Sequence, residues 1–305
     1  MGMFSTLVGS RLPPRYQRLF KLPPRVESWK VRDTADTVLG RAVREWFAEH
    51  DAPAAVYRLD SGRDALGARI GLIERARRTV DIQSYLIKDD LSGNLVALHL
   101  AEAADRGIRV RLLMDDALTD EVDPGLLSLD EHENIEVRVF NPFPRRRSRF
   151  ISLLANFNIL NRRMHNKSFT VDNQVTIVGG RNLADEYYQT GGEAEFIDED
   201  LLAIGPPVDE ISDGFDEYWN SPEAIPMGAF KRLVPHGSVT ESIREARRLL
   251  DKHVDDPFLK GVDGRLIDDL IGGRLELTGA NVEVVQDLPE KVRNPLKRSP
   301  SATVE

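Results

Sequence analysis

Residues 164–182 read MHNKSFTVDNQVTIVGGRN. Short apolar runs on either side of Asp172 and Asn173 are typical of two strands joined by a tight turn. A hairpin explains the apolar residues and the turn residues, but it does not explain why His165 and Lys167 stand two positions apart. Side chains two apart in a strand point to the same side. We therefore expect the imidazole and the ammonium group to converge on one face.

The residues after this hairpin indicate what the converging side chains would bind. We expect a helix over residues 183–188, whose first backbone donors would join Lys167 and the Asn182 amide in a cradle for one phosphate. A histidine placed there can attack phosphorus and form a phosphohistidine that a second nucleophile resolves. Because a lysine can stabilise charge on the non-bridging oxygens, we expect no metal and no cofactor.

Helical and strand patterns alternate along the flanking chain. The predicted helices cover residues 35–49, 61–78 and 91–106, a packed helix around 211–219 and a charged helix at 238–253, and the predicted strands cover residues 80–87, 108–114, 135–140, 168–171, 175–178 and 201–204. A Pro-Gly turn is expected at Pro124 and Gly125. This order predicts an α/β fold whose mixed, mostly parallel β-sheet is flanked by helices on both faces.

Composition narrows the class of protein. The chain has 305 residues with 41% hydrophobic and 30% charged content, which is typical of a globular protein. A net charge of −9 argues against a general nucleic-acid binder, so no nucleic-acid partner is expected. The absence of cysteine excludes disulfides and thiol nucleophiles. Because no apolar run is long enough to span a bilayer, we expect that the protein is not an integral membrane protein.

Two segments combine basic and apolar residues. Residues 1–32 hold seven Lys and Arg side chains and one acid, Glu27, and residues 145–149 hold four arginines followed by apolar positions up to Phe157. Both segments would suit an anionic membrane surface. A solvated terminus for the first and a connecting helix packed on the domain for the second explain the same patterns, and the sequence leaves these alternatives open.

The spacing H-x-K-x4-D, followed after six residues by G-G-x-N, resembles the HKD motif of the phospholipase D superfamily, in the variant G-G-R-N. The resemblance extends over residues 60–220 and is strongest for the amino-terminal half of bacterial cardiolipin synthase-like proteins. The stretches that carry it are VDIQSYLIKDDLSG (80–93), AADRGIRVRLLMDD (103–116), RMHNKSFTVDNQVTIVGGRN (163–182) and DEDLLAIGPPVDEISDGFDEYWNS (198–221).

The resemblance implies roles for the central residues. His165 matches the covalent nucleophile, and Lys167 and Asn182 match phosphate-binding positions. Gly180, with Gly179, matches the close-packed turn beneath the phosphate and is included in the phosphate-binding group. These assignments make His165 and Lys167 the expected catalytic pair.

Four acids receive expectations of different kinds. Asp172 matches the motif aspartate and is grouped with the catalytic residues, although in the family it is generally a structural hydrogen-bonding member. Asp198 matches an acid that orients the histidine of the opposite half, and a capping carboxylate is the alternative. Asp115 and Asp116 are expected to support a loop, because two adjacent carboxylates without a histidine do not make a metal site.

A site of this family uses two HKD motifs, and this chain shows one. The other histidines, His50, His99, His132, His236 and His253, lack a lysine two residues on. The chain is thus expected to be a truncated product, to pair with a second copy of itself, or to act with a partner that carries the second motif. The expected division is a basic arm and helix (1–50), a phospholipase D-like domain (51–224), a helical connector (225–279) and the start of an absent second half with a polar tail (280–305).

The expected function is a phosphatidyltransferase of cardiolipin synthase type that acts on phosphatidylglycerol or a similar phospholipid through phosphohistidine. The alternatives are an inactive half that binds lipid or regulates, and a phospholipase D-type phosphodiesterase. Whether the single-motif chain is an enzyme is left open. The expected location is cytoplasmic, with peripheral attachment to the cell membrane.

Overall fold

The computed structural model describes residues 26–116, 123–142, 163–188, 190, 196, 198–231 and 236–292. The strands are β1 Ala54–Leu59, β2 Thr79–Ser84, β3 Arg109–Asp115, β4 Ile135–Phe140, β5 Ser168–Val171, β6 Val175–Gly179, β7 Asp200–Ile204, β8 Ala224–Pro226 and β9 Thr278–Ala280. The helices are α1 Val38–Glu49, α2 Gly62–Arg75, α3 Leu91–Asp105, α4 Asp123–Leu129, α5 Pro206–Trp219, α6 Val239–Lys252 and α7 Arg265–Ile271.

The described strands form one sheet in the order β8-β4-β3-β2-β5-β6-β7-β1-β9. The pairs β2–β3 and β3–β4 are parallel. The other six pairings of these strands are antiparallel. The predicted mixed α/β fold is confirmed, but the prediction of a mostly parallel sheet was wrong. Parallel pairing occurs where α3 and α4 return the chain to the same edge, whereas tight turns such as that between β5 and β6 reverse it.

Helices cover both faces of the sheet, as predicted. Alternate residues of β3 show this, because Val110, Leu112 and Met114 belong to the large apolar core shared with α2 and α3. Leu113 points the other way and packs in a smaller cluster with Phe215 and two other aromatic residues of α5. The sheet therefore separates a large apolar layer from a smaller layer beneath α5.

The layer beneath α5 is held partly by buried charge. The Arg111 guanidinium donates to both oxygens of Asp81, at 2.7 and 2.8 Å, and lies 2.8 Å from Asp216 on α5. Its plane lies over the Phe215 ring, 4.7 Å from the ring centroid. Buried pairs of this kind cost desolvation energy, which the close approach of opposite charges offsets.

The segment before α1 lies along α5. The Lys30 ammonium, whose side chain is only 2% exposed, pairs with Asp209 at 2.6 Å and Asp213 at 2.7 Å. This lysine belongs to the basic arm that the sequence suggested for membrane contact. Its charge is used inside the protein, and residues 1–25 of the arm lie outside the described residues.

Several local predictions need correction. Pro124 and Gly125 lie in the first turn of α4 rather than in a turn, since proline is well accommodated where a helix begins. The helix expected over 183–188 is a 3-10 turn of three residues, Asp185–Tyr187. Strands β1 and β8 and helix α7 were not predicted, although Ile267 and Leu270 of α7 are buried in the main core.

None of the described helices is both long and apolar enough to cross a bilayer.

Candidate active site

The loop that enters β5 is held by Asp115, the last residue of β3. One carboxylate oxygen of Asp115 accepts the Met164 backbone N–H at 2.8 Å, and the other lies 3.3 Å from the Arg163 guanidinium. Asp115 and the adjacent Asp116 are both buried. Asp115 thus positions the loop that carries His165, in the supporting role that the sequence predicted.

His165 and Lys167 meet at the ring of Tyr85, just beyond the end of β2. The ring centroids of Tyr85 and His165 are 5.5 Å apart, and the Lys167 ammonium lies 5.5 Å from the Tyr85 centroid. The same ammonium donates to the His165 backbone oxygen at 3.1 Å. The two side chains converge as predicted, but they do so in the loop before β5 and not within a strand.

The surroundings of Lys167 change its ionisation. His165 is exposed, whereas Lys167 is partly buried. Burial lowers the pKa of Lys167 to about 8, and the negative charges of Asp198, Asp115 and Asp200 oppose that shift. The ammonium form is therefore the main form at neutral pH, in a partly desolvated place where its attraction for an anion is stronger than in water.

Gly179 and Gly180 allow two acids to approach the chain closely. A Cβ atom at Gly180 would collide with the Asp198 carboxylate, and one at Gly179 would collide with Asp200. The Gly180 N–H donates to the Glu199 backbone oxygen at 3.1 Å and is not directed at a ligand. Gly180 thus admits Asp198 beside Lys167, and its assignment to phosphate binding stays a prediction.

Asn182 lies buried beside two aromatic residues. Burial raises the pKa of Tyr187, and a hydrogen bond from the Asn182 side chain to the Tyr187 hydroxyl opposes that rise. The Asn182 amide oxygen has no hydrogen-bond partner among the described residues. The Tyr187 ring stacks on Phe196 with centroids 5.0 Å apart. Because an amide oxygen only accepts hydrogen bonds, a phosphate oxygen at this edge of the site would be bound by the Asn182 amide NH2 and not by that oxygen.

The cradle of backbone donors expected after Asn182 is not present. The Leu183 N–H donates to the Leu86 oxygen at 3.1 Å, and the Asp185 N–H donates to Asp90 at 2.8 Å. In return, the Asp185 carboxylate accepts the Ser92 N–H at the start of α3, at 2.8 Å. These tertiary bonds use the Leu183 and Asp185 donors, two of those that a helix start would have offered to an anion.

Asp172 lies at the opposite end of β5 from His165. Its carboxylate accepts the backbone N–H groups of Arg77, Arg78 and Thr79 at 2.7 to 3.1 Å. The side chain is fully buried, and burial raises the pKa of Asp172 although these donors oppose the shift. The structure does not bring Asp172 to His165 and Lys167. Its contacts hold the start of β2, as expected of a structural hydrogen-bonding member, and its grouping with the catalytic residues stays a prediction.

Asp200 is a second scaffolding acid, and the sequence analysis did not single it out. It accepts from Arg69 at 2.9 Å and from the Arg181 backbone N–H at 3.3 Å. The Arg181 guanidinium donates to the Leu59 oxygen at 3.1 Å, so the arginine of G-G-R-N turns into the protein. The D-x-D pattern that ends at Asp200, the first residue of β7, was the available signal, but the partner of Asp200 on α2 could not be read from spacing.

The remaining histidines do not join the site. Their partners are Trp46 for His50, Leu95 for His99, Asp105 for His132, Glu131 for His236 and Leu249 for His253. In the part of the chain that the structure describes, no group of three or more His, Cys, Asp or Glu residues could hold a metal ion. The segment with the four arginines, residues 145–149, lies outside the described residues.

Comparison with known proteins identifies relatives over most of the chain. The family model described as "Cardiolipin synthase, PLD-like domain" matches residues 70–219. Cardiolipin synthase C of Escherichia coli (strain K12) is 40% identical over 261 residues, which cover 85% of this chain and 55% of that protein. Cardiolipin synthase of Oceanobacillus iheyensis is 30% identical over 160 residues, covering 52% of this chain and 32% of that protein. The chain spans about half the length of the first of these relatives and 32% of the length of the second.

Solved structures show a more distant likeness. NucT from Helicobacter pylori is 16% identical with a TM-score of 0.43, covering 58% of this chain and 99% of that one. Phosphatidylserine synthase of Haemophilus influenzae Rd KW20 is 12% identical with a TM-score of 0.43, covering 71% of this chain and 48% of that one. Likeness at this level does not bear on function.

Proposed function

Because the chain belongs to the phospholipase D superfamily, we propose that it supplies the His165 half of an active site for phosphatidyl transfer of the cardiolipin synthase type. The observation that carries this proposal is the placement of the exposed His165 ring beside the partly buried Lys167 ammonium, both against Tyr85. A nucleophile and a cation in one small space suit attack on a phosphodiester.

In the proposed reaction the His165 imidazole attacks phosphorus of an anionic phospholipid such as phosphatidylglycerol. A bond from nitrogen to phosphorus forms, the bond from phosphorus to the glycerol oxygen breaks, and the departing alkoxide takes a proton from a general acid. Lys167 and Asn182 stabilise charge on the non-bridging oxygens. The hydroxyl of a second alcohol then gives its proton to the general acid, which the first step left deprotonated, and its oxygen bonds to phosphorus. The bond from nitrogen to phosphorus breaks, which restores His165.

The general acid comes from a second HKD motif in this proposal. All five other histidines have partners outside the His165 group. A second copy of the chain, a second half or a separate partner would supply it, and a twofold dimer would bring two His165 rings to one interface. The relative in which the matched region covers 55% of the length has room for both halves.

Two other outcomes belong to the same site. If water replaces the alcohol in the second step, the reaction is phospholipase D-type hydrolysis. If no second motif is supplied, the half binds an anionic headgroup without turnover. In each case the chain would act at the cytoplasmic face of an anionic membrane, to which it would attach peripherally.

The test is a product assay on vesicles of phosphatidylglycerol with the solution mass of the protein measured in parallel. We expect cardiolipin as the product of a verified dimer or of a mixture that contains a second motif, and no product from His165→Ala under the same conditions. Phosphatidic acid as the sole product would indicate hydrolysis. Cardiolipin formation that survives His165→Ala would contradict the proposed nucleophile.

A further inference from the structure

Tyr85 contacts both residues on which the proposed chemistry depends, although it lies eighty positions before His165 in the chain. The planes of the Tyr85 and His165 rings are inclined by 58° at a centroid separation of 5.5 Å. The Lys167 ammonium approaches the same tyrosine ring at 5.5 Å from its centroid, within the range of a cation–π contact. One ring thus contacts the nucleophile and the cation together.

The backbone around Tyr85 is fixed from two directions. The Ser84 hydroxyl donates to the Leu86 oxygen at 3.0 Å. The same oxygen accepts the Leu183 N–H at 3.1 Å, and Ile87 forms a bridge with Leu183. Leu183 directly follows Asn182, so the turn that carries Tyr85 is bonded to the chain that carries the third proposed phosphate ligand. Tyr85 is therefore held in a defined place relative to both sides of the site.

We propose that Tyr85 is a positioning residue, whose ring holds the His165 imidazole and the Lys167 ammonium in the arrangement that one phosphoryl group requires. This inference rests on the proposed function of the same site. The ring acts in two ways: its edge and face limit how the imidazole can rotate, and its area keeps water from one side of the ammonium.

The phenol hydroxyl is not the active part of this residue. Burial, and secondarily the charge of Asp115, raise the pKa of Tyr85, so its hydroxyl stays protonated at neutral pH. The groups whose charges act on the neighbouring ammonium are Asp198, Asp115 and Asp200. Because these acids favour the charged lysine, the lowered pKa of Lys167 depends on burial, to which the Tyr85 ring contributes.

Three variants separate the ring from the hydroxyl and from general packing. Tyr85→Phe keeps the ring, Tyr85→Leu removes it, and Tyr57→Leu removes a partly buried tyrosine from β1, away from the site. We expect Tyr85→Phe and Tyr57→Leu to retain phosphatidyl transfer within about twofold. Tyr85→Leu should lose about ten- to a hundredfold in kcat, as a misplaced reacting group does. Equal losses in Tyr85→Phe and Tyr85→Leu would overturn the proposal.

A second measurement does not depend on activity. The rate at which limiting acetic anhydride acetylates Lys167, followed by mass spectrometry from pH 6 to 11, reports the titration of that lysine. We expect the midpoint near pH 8 for the unsubstituted protein and Tyr85→Phe, and a rise of about one unit for Tyr85→Leu as water reaches the ammonium. An unchanged midpoint in Tyr85→Leu would overturn the positioning role even if transfer is observed. A shifted midpoint in a protein without transfer activity would instead indicate that the proposed function fails while the positioning role stands.

Discussion

The two ends of strand β5 carry parts of one sequence motif that differ in burial and in hydrogen bonding. At one end, Asp172 is fully buried, and its carboxylate accepts three backbone N–H groups from the start of β2. At the other end, His165 is exposed and Lys167 is partly buried against Tyr85. Only four residues of strand separate these states.

The spacing H-x-K-x4-D therefore connects two ends with different tasks. The chemical end carries His165 and Lys167, and the scaffolding end carries Asp172. Donors directed at Asp172 fix the register of β2 and β5, and this register places Tyr85 beside His165. The chemical end keeps an exposed nucleophile and a desolvated cation, which stabilise the fold less than fully bonded groups would. Substitutions at the two ends should therefore fail in different ways.

The largest effect on activity is expected for His165→Ala. Transfer should fall by about a thousandfold or more, because loss of a covalent nucleophile removes the pathway itself. The midpoint of thermal unfolding should change little, since the side chain is exposed. His253→Ala replaces an exposed histidine directly after the last residue of α6, and this matched control should be fully active. If His165→Ala unfolds at a much lower temperature than the unsubstituted protein, His165 supports the fold and the proposed division is wrong.

The largest effect on stability is expected for Asp172→Ala. The substitution leaves three backbone N–H groups without their acceptor, and it places alanine at a φ of 53°. We expect a loss of about 3 kcal/mol in the free energy of unfolding, measured with denaturant. Asp172→Asn keeps an acceptor oxygen and tolerates this φ, so it should lose about 1 kcal/mol. Normal stability with abolished transfer in Asp172→Ala would reverse the proposed division between the ends.

An intermediate effect concerns pH. The pKa of Lys167 is lowered to about 8 by burial, so the ammonium is present below that pH and is lost above it. Transfer by a functional assembly should fall by about tenfold between pH 8.5 and 9.5 if the charged lysine is needed. Lys167→Arg should extend whatever activity it retains to higher pH, because arginine stays charged. A pH profile that is flat from 7 to 10 in the unsubstituted protein would exclude this role for Lys167.

The smallest effect on transfer is expected for Gly180→Ala, which disturbs the acid beside Lys167. Its Cβ would collide with Asp198, so the carboxylate must move away from Lys167. We expect about a fivefold loss in kcat/KM, which corresponds to about 1 kcal/mol. Gly125→Ala is the control, since its Cβ would meet nothing within 4 Å. Equal activity of the two alanine variants would show that the Asp198 contact does not matter.

Much of this arrangement could be predicted because it is local in the chain. The hairpin at 168–178 follows from strand and turn residues, and the helices before and after β2 follow from apolar periodicity and capping by Ser61. The pairing of His165 with Lys167 could be read from the motif, although the strand period used to predict it does not apply, since both residues precede β5. The resemblance to the family then supplied the chemistry.

The rest depends on which strands lie next to each other. Tyr85 reaches His165 because β2 pairs with β5, and Asp172 reaches its three donors over 93 to 95 positions in sequence. Periodicity does not specify such pairings, and for the same reason it did not predict the antiparallel majority of the described strand pairs. The prediction of a helix at 183–188 was wrong because the Asp185 side chain accepts a hydrogen bond at the start of α3.

The central claim is that His165 forms the covalent bond to phosphorus, and one measurement tests it without a second motif. A phosphatidyl p-nitrophenyl ester releases p-nitrophenolate without needing a general acid. We predict a burst of about one p-nitrophenolate per chain and, after an alkaline quench, a phosphatidyl adduct on His165 in tandem mass spectrometry. Asp172→Asn should retain the adduct and His165→Ala should lack it. A burst in His165→Ala, or an adduct on any other residue, would contradict the account.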